Sequence, residues 1–129
     1  MWRLVPTSRF RKRLGKLDPP VVREILRDVR ESGLERDPTT GKRLKGSFPV
    51  DTPMGRVEAP IWELKVGPRR AYRVFYAISW EERAIYLLDV WHRKRGFRRM
   101  KFKIPSILLG LPEFLRLLLG ELPLLDQLV

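Results

Sequence analysis

The spacing of apolar residues along the first third of the chain predicts two short helices. Phe10, Leu14 and Leu17 recur at helical spacing. Asp18 and two prolines then open a second helix, because the first helical turn needs no backbone donors. An apolar stripe runs along this helix opposite its arginines, and Gly33 stands where a left-handed cap would end it. The pattern indicates a helical hairpin.

Short segments flank the helical hairpin. The opening residues MWRLVP predict an edge strand closed by Pro6. Ser8 is expected to cap the first helix. Beyond the hairpin, glycine and proline interrupt residues 35–60 so often that the pattern predicts a loop without any long regular element. These residues are Pro38, Gly41, Gly46, Pro49, Pro53, Gly55 and Pro60.

The period of the pattern changes to two beyond this loop. Trp62, Leu64 and Val66 alternate with charged residues, which predicts a strand with one buried face. AYRVFYAIS forms the next strand, and residues 84–91 are apolar on both faces, as expected of a central strand. Tight turns at GPRR and SWEER predict antiparallel pairing. The fold class is α+β, with the N-terminal helical hairpin packed on an antiparallel sheet.

The C-terminal segment, residues 104–129, is rich in leucine and is broken repeatedly by proline and glycine. We predict a basic domain over residues 1–103, followed by a C-terminal extension of one or two short helices. These helices are expected to cover the domain's own core. Alternatively, they could form a dimer or partner-protein interface, or contact a membrane surface. No apolar run approaches the ~20 residues of a membrane span.

Composition narrows the class of protein. A length of 129 residues fits one domain. The chain has no cysteine and His92 is its only histidine, which excludes a disulfide framework and a zinc site of ordinary composition. Its amino terminus lacks a signal-peptide core, so we expect a cytoplasmic protein. Asparagine is absent and glutamine occurs once, which suggests a thermophilic source.

Charge indicates the kind of partner. The formal net charge is +12, and from Ile104 onward Arg116 is the only basic residue among three acidic ones. The excess of positive charge therefore belongs to the first 103 residues. Such a field concentrates phosphate-bearing molecules, which favours RNA as a partner.

Cations at strand positions are the candidate chemistry. Strand parity places Lys65 and Arg73 on the face opposite their apolar neighbours, and Arg93 follows Asp89 and Trp91 at a spacing of two. All three can reach one face of a three-stranded sheet. The sequence contains no cluster of metal ligands, nucleophile–base pair or glycine-rich phosphate loop.

The order of elements and several local strings resemble the RelE/ParE toxin superfamily over about residues 8–100. The strings are KLDPPVVREIL at the second helix, RLKG before the loop, WELKVGPRRAYRVFY over the first two strands after the loop, and LLDVWHRKRGF. The last string is similar to the family's closing pattern, in which a hydrophobic strand leads to His-Arg and, after three intervening residues, to a tyrosine.

This resemblance implies a toxin of a type II toxin–antitoxin system that acts as a ribosome-dependent mRNA endonuclease. The implied partners are mRNA in the ribosomal A site and a cognate antitoxin, with a homodimer or a toxin–antitoxin heterocomplex as the assembly. In RelE-like members a substrate 2′-hydroxyl attacks the adjacent phosphate without metal, so no cofactor is expected.

The resemblance also implies roles for single residues. Lys65 would accept a proton or assist electrostatically, and Arg73 would clamp the scissile phosphate with its planar fork. Arg93 would stabilise the leaving 5′-oxygen, with His92 as an acid. The residues expected to contact RNA are Arg69, Arg70, Arg95, Phe97, Arg98, Arg99 and Lys101.

Two departures from the family pattern leave other functions open. Phe97 replaces the closing tyrosine and cannot exchange a proton, and Glu63 stands where some nuclease members carry a second basic residue. A ParE-like toxin that inhibits DNA gyrase by protein binding is one alternative. A non-catalytic RNA-binding module is the other.

Overall fold

The computed structural model describes residues 1–53, 55–95 and 102–103, which form an α+β fold. The predicted C-terminal extension lies outside the described residues. In chain order the elements are β1 (Arg3–Pro6), α1 (Ser8–Leu14), α2 (Pro19–Glu31), β2 (Lys42–Arg43), β3 (Phe48–Thr52), β4 (Gly55–Ala59), β5 (Trp62–Val66), β6 (Tyr72–Ser79), β7 (Ala84–His92) and β8 (Phe102–Lys103), with 3₁₀ turns at Pro38–Thr40, Pro68–Arg70 and Arg93–Arg95.

Both predicted helices are present, but the first is capped by a different residue from the one expected. Thr7, not Ser8, is the N-cap, and its side-chain oxygen accepts from the backbone N–H of Phe10. The Thr7 hydroxyl also donates to the carbonyl of Leu87 at 2.9 Å, so it is buried against β7, whereas Ser8 is exposed. The second helix begins at the two prolines, and Gly33 follows it with φ +89°.

The main sheet has five strands in the order β1-β7-β6-β5-β2. Strands β5, β6 and β7 pair antiparallel, as predicted, and β7 lies between two neighbours. The expectation of a wholly antiparallel sheet was wrong, because β1 pairs parallel with β7. In the sequence, two helices separate β1 from the other strands of the sheet, so no tight turn fixes the direction of β1.

A second sheet occupies much of the segment that was predicted to be loop. Strand β3 pairs antiparallel with β4 and parallel with β8, giving the order β4-β3-β8. Gly55 begins β4 and Pro60 follows its end, while Pro49 is the second residue of β3 and does not interrupt the strand. Phe48 and Phe102 meet edge to face at 6.2 Å across this sheet, which joins a distant segment to it.

The five-stranded sheet is buried on both faces. On one face the stripe of α2 packs against alternate residues of β5, β6 and β7, including Val66, Val74 and Leu87. On the other face the second sheet packs through Val50 and Phe102 against Phe75 and its neighbours. A helical layer and a small sheet therefore enclose the central strands, and the lysine and arginine residues of these strands lie near their ends.

One carboxylate is buried within β7. Asp89 is 1% exposed, accepts from the backbone N–H of Val90 and from the Trp91 indole at 2.9 Å, and lies 3.3 Å from the guanidinium of Arg13. A β-bulge adjoins it, since Asp89 pairs with Phe75 while Leu87 pairs with the next residue of β6. These bonds satisfy a charge that would otherwise be costly to bury.

No helix among the described residues is long and apolar enough to cross a membrane.

Gly41 should be required for packing of the loop against β5. A Cβ atom at this position would lie 2.5 Å from the Glu63 carbonyl oxygen and 2.6 Å from the Tyr76 hydroxyl. Gly41→Ala should therefore lower the free energy of unfolding by about 1–3 kcal/mol, as measured by urea denaturation. Gly15→Ala is the control, because Gly15 has an ordinary φ of −62° and a Cβ atom there would make only ordinary van der Waals contacts, at 3.5 and 3.6 Å. Equal stability of the two variants would contradict this packing.

Candidate functional site

Lys65 and Arg73 are direct neighbours across β5 and β6. They occupy the face opposite Leu64, Val66 and Val74, which belong to the core on the helical side. Cross-strand partners hold their Cβ atoms about 5 Å apart. Lys65 is exposed and Arg73 is half-buried. The structure therefore brings together the two cations that strand parity placed on one face.

The guanidinium of Arg73 is held by backbone carbonyls. Its Nη1 donates to the Arg70 carbonyl at 2.7 Å and to the Tyr72 carbonyl at 3.2 Å. Among the described residues, nothing accepts a hydrogen bond from its Nε or Nη2. Two neighbouring N–H edges of a fixed guanidinium fork remain available, and such a fork matches the oxygen spacing of a phosphate.

Further arginines surround this pair at the same end of the sheet. Arg69 and Arg70 lie in the turn between β5 and β6, and both are exposed. The backbone N–H of Arg93 donates to the Ala71 carbonyl at 2.7 Å, which places Arg93 directly beyond that turn. Arg93 lies in a 3₁₀ turn, so it follows the end of β7 and is not a strand residue.

His92 lies on the other face of the sheet. It pairs with Tyr72, whose side chain packs against the helical-side core, and the two rings meet edge to face at 5.1 Å. The backbone N–H of Lys94 donates to His92 Nδ1 at 3.2 Å. His92 therefore lies on the opposite face of the sheet from Lys65 and Arg73, so it is not positioned to act with them as the resemblance implied.

Most of the remaining residues predicted to contact RNA lie outside the described part of the chain. The backbone of Arg95 closes the 3₁₀ turn after β7. The side chain of Arg95 lies outside the described part of the chain, as do four whole residues: Phe97, Arg98, Arg99 and Lys101.

A groove of about 550 Å³ opens beside the Lys65–Arg73 pair, between the C-terminal part of α2 and the edge of β5. Glu63 lines it and is 7% exposed, and its Oε2 atom has no hydrogen-bond partner. Lys65 and Arg70 line the same groove. Asp28, Glu31 and Lys42 line it as well, so the wall holds three acidic and three basic residues, and the acidic ones weaken the attraction for phosphate there.

Asp28 is a site residue that the sequence pattern did not identify. Its Oδ2 atom accepts from the backbone N–H of Gly67 at 2.8 Å, which fixes the start of the arginine-bearing turn to α2. Gly67 has φ +80°, and a Cβ atom there would lie 3.0 Å from the Tyr72 ring and 3.1 Å from Ile25. The available signal was weak, because Asp28 is one of three acidic residues on the second helix, with Glu24 and Glu31.

No group of three His, Asp or Glu side chains that could hold a metal occurs within residues 1–53, 55–95 and 102–103. The site that the described residues form is cationic, and its main feature is the backbone-anchored guanidinium of Arg73.

A protein-family model matches the chain, whereas no curated protein matches it. The family model describes the ParE toxin of the type II toxin–antitoxin system parDE, and it matches residues 4–97. This range covers the helical hairpin, the strands of the main sheet and the cationic end described above. The chain belongs to the ParE toxin family of type II toxin–antitoxin systems, within the RelE/ParE superfamily.

Proposed function

We propose that this toxin cleaves mRNA in the ribosomal A site, with Lys65, Arg73 and Arg93 acting on the scissile phosphate. The observation that carries the proposal is the Lys65–Arg73 pair, in which a guanidinium fixed by two carbonyls stands beside an exposed ammonium group. Fixed donors aimed at a developing anion can each lower a barrier by roughly 3–4 kcal/mol.

The proposed step is an internal transesterification. The 2′-oxygen of the substrate gives its proton to solvent water and attacks the adjacent phosphorus. The bond from phosphorus to the 5′-oxygen breaks, which leaves a 2′,3′-cyclic phosphate and, once that oxygen is protonated, a 5′-hydroxyl. Lys65 stabilises charge at the attacking oxygen, Arg73 holds the non-bridging oxygens and Arg93 stabilises the departing 5′-oxygen.

Solvent water supplies the proton to the 5′-oxygen in this proposal. An arginine keeps its protons in proteins, so Arg93 contributes only charge. Phe97 has no exchangeable proton, and His92 lies on the opposite face of the sheet. Catalysis would then rest on positioning and charge more than on a dedicated acid.

Inhibition of DNA gyrase by protein binding is the alternative candidate function. The match to the ParE toxin model favours it, as does the phenylalanine at position 97. A protein inhibitor needs a complementary surface but no phosphate clamp, so the two functions make different demands on Arg73.

A cognate antitoxin is the partner that the parDE family implies. We propose that it binds this toxin directly in a toxin–antitoxin heterocomplex. The leucine-rich segment 104–129 is proposed to serve either the toxin's own core or this interface.

Arg73→Ala should abolish RNA cleavage and growth inhibition. It removes the backbone-anchored guanidinium from a half-buried position, and loss of one such donor lowers a rate by about 10²–10³-fold. Cleavage is measured by primer extension, and circular dichroism checks the fold. Arg23→Ala is the matched control, because it removes one positive charge from an exposed position on α2. A folded Arg73→Ala variant that remains as toxic as Arg23→Ala would contradict the site.

Glu63→Gln should bind RNA more tightly. It removes a negative charge from the wall beside Lys65, and a charge pair about 4 Å apart contributes about 1 kcal/mol in water, or roughly fivefold in affinity. Fluorescence anisotropy with single-stranded RNA at low salt measures the change. Glu58→Gln, on the exposed strand β4, is the control. Equal gains in both variants would mean that phosphate does not approach Glu63.

A further inference from the structure

The turn between β5 and β6 has an unusual composition for its geometry. Arg69 and Arg70 have φ values of +57° and +53°, and the backbone N–H of Ala71 donates to the Pro68 carbonyl at 3.0 Å. Two consecutive residues with positive φ, closed by this hydrogen bond, are typical of a type I′ turn, here within the five-residue connection 67–71. Such a turn favours Asn-Gly because bulky side chains are strained there. This chain places arginine at both positions.

The two arginines do not stabilise the fold through their side chains. Both are exposed, and none of the ion pairs formed by the described residues includes either of them. The fold would gain from Asn-Gly in their place, so the strain points to a function of the two exposed guanidinium groups outside the fold.

Surrounding hydrogen bonds fix the turn. Asp28 accepts from Gly67 on one side, and Arg93 donates to the Ala71 carbonyl on the other. The carbonyl of Arg70 accepts from Arg73 Nη1 at 2.7 Å. The left-handed conformation of Arg70 therefore directs its carbonyl at Arg73 while its side chain projects from the same turn.

We propose that the Arg69–Arg70 turn is a second phosphate-binding site, which holds the RNA phosphate next to the one bound by Lys65 and Arg73. The proposal rests on the RNA-cleaving function proposed above. Both guanidinium groups meet backbone phosphate and not base edges, so the contact is independent of sequence. RNA is favoured over an acidic peptide because the free edges of the Arg73 fork adjoin the turn, and one polyanion can bind both.

The test replaces the turn with its unstrained counterpart. Arg69→Asn combined with Arg70→Gly removes both charges but keeps the type I′ geometry. We expect its melting temperature to rise by a few degrees and its affinity for RNA to fall at least tenfold. The slope of log K against log salt should become shallower by about 0.7, the value for one phosphate on a single strand.

The probe and the control separate binding from other effects. The probe is a single-stranded RNA with 2′-O-methyl groups throughout, which cannot be cleaved by the proposed reaction. Arg23→Gln combined with Arg30→Gln removes two exposed charges from α2 and serves as the control. Binding is measured by anisotropy, and melting by circular dichroism.

Several results would overturn the second site. They are RNA binding equal to that of the α2 control, a melting temperature that falls, and a loss confined to binding of the cognate antitoxin. Failure of the cleavage function is seen separately, as a wild-type toxin that binds the methylated RNA but leaves unmodified mRNA intact on ribosomes.

Discussion

Burial of both faces of β7 is the constraint on which the rest of the structure depends. Residues 84–91 are almost all apolar, and all eight are buried. A strand of this kind needs neighbours on both sides and a covering layer on each face. β1 and β6 supply the neighbours, while the helical layer and the small second sheet supply the layers. Cations are thereby excluded from the middle of the sheet and gathered at its end.

The turn between β5 and β6 positions these cations relative to one another and so forms the site. Antiparallel pairing sets Lys65 opposite Arg73, and the left-handed backbone of Arg70 supplies the carbonyl that orients the Arg73 guanidinium. Asp28 secures the turn from the helical layer. The cationic residues are thus positioned mainly by backbone geometry, which stays in place when phosphate arrives. Preorganised charge of this kind is more effective than flexible surface lysines and arginines.

Local periodicity was enough to predict the elements whose neighbours are close in sequence. The period-two pattern located β5 and β6, a stretch that is apolar on both faces located β7, and strand parity placed Lys65 and Arg73 on one face. The same parity contained the information that His92 faces the other way, since it alternates with Trp91. The function proposed for His92 followed from family resemblance, and strand geometry argues against it.

Other features depend on contacts between distant segments and could not be predicted from local pattern. The parallel direction of β1 is set by pairing with residues about 80 positions away, and the β3–β4 hairpin is stabilised by Phe102. The burial of Glu63 also depends on the groove formed by α2 and the loop around Gly41. In each case the sequence pattern of the short segment is typical of a loop or an exposed surface, and only its contact with a distant segment gives it a different structure.

The most direct test of the central claim, that the cationic end of this ParE-family toxin acts on RNA, uses the purified toxin in two assays. Primer extension on a translated mRNA, with and without ribosomes, maps any cuts, and a supercoiling assay measures gyrase activity at the same toxin concentration. The account predicts discrete cuts that require ribosomes, with gyrase unaffected. Intact mRNA together with inhibited gyrase would contradict it.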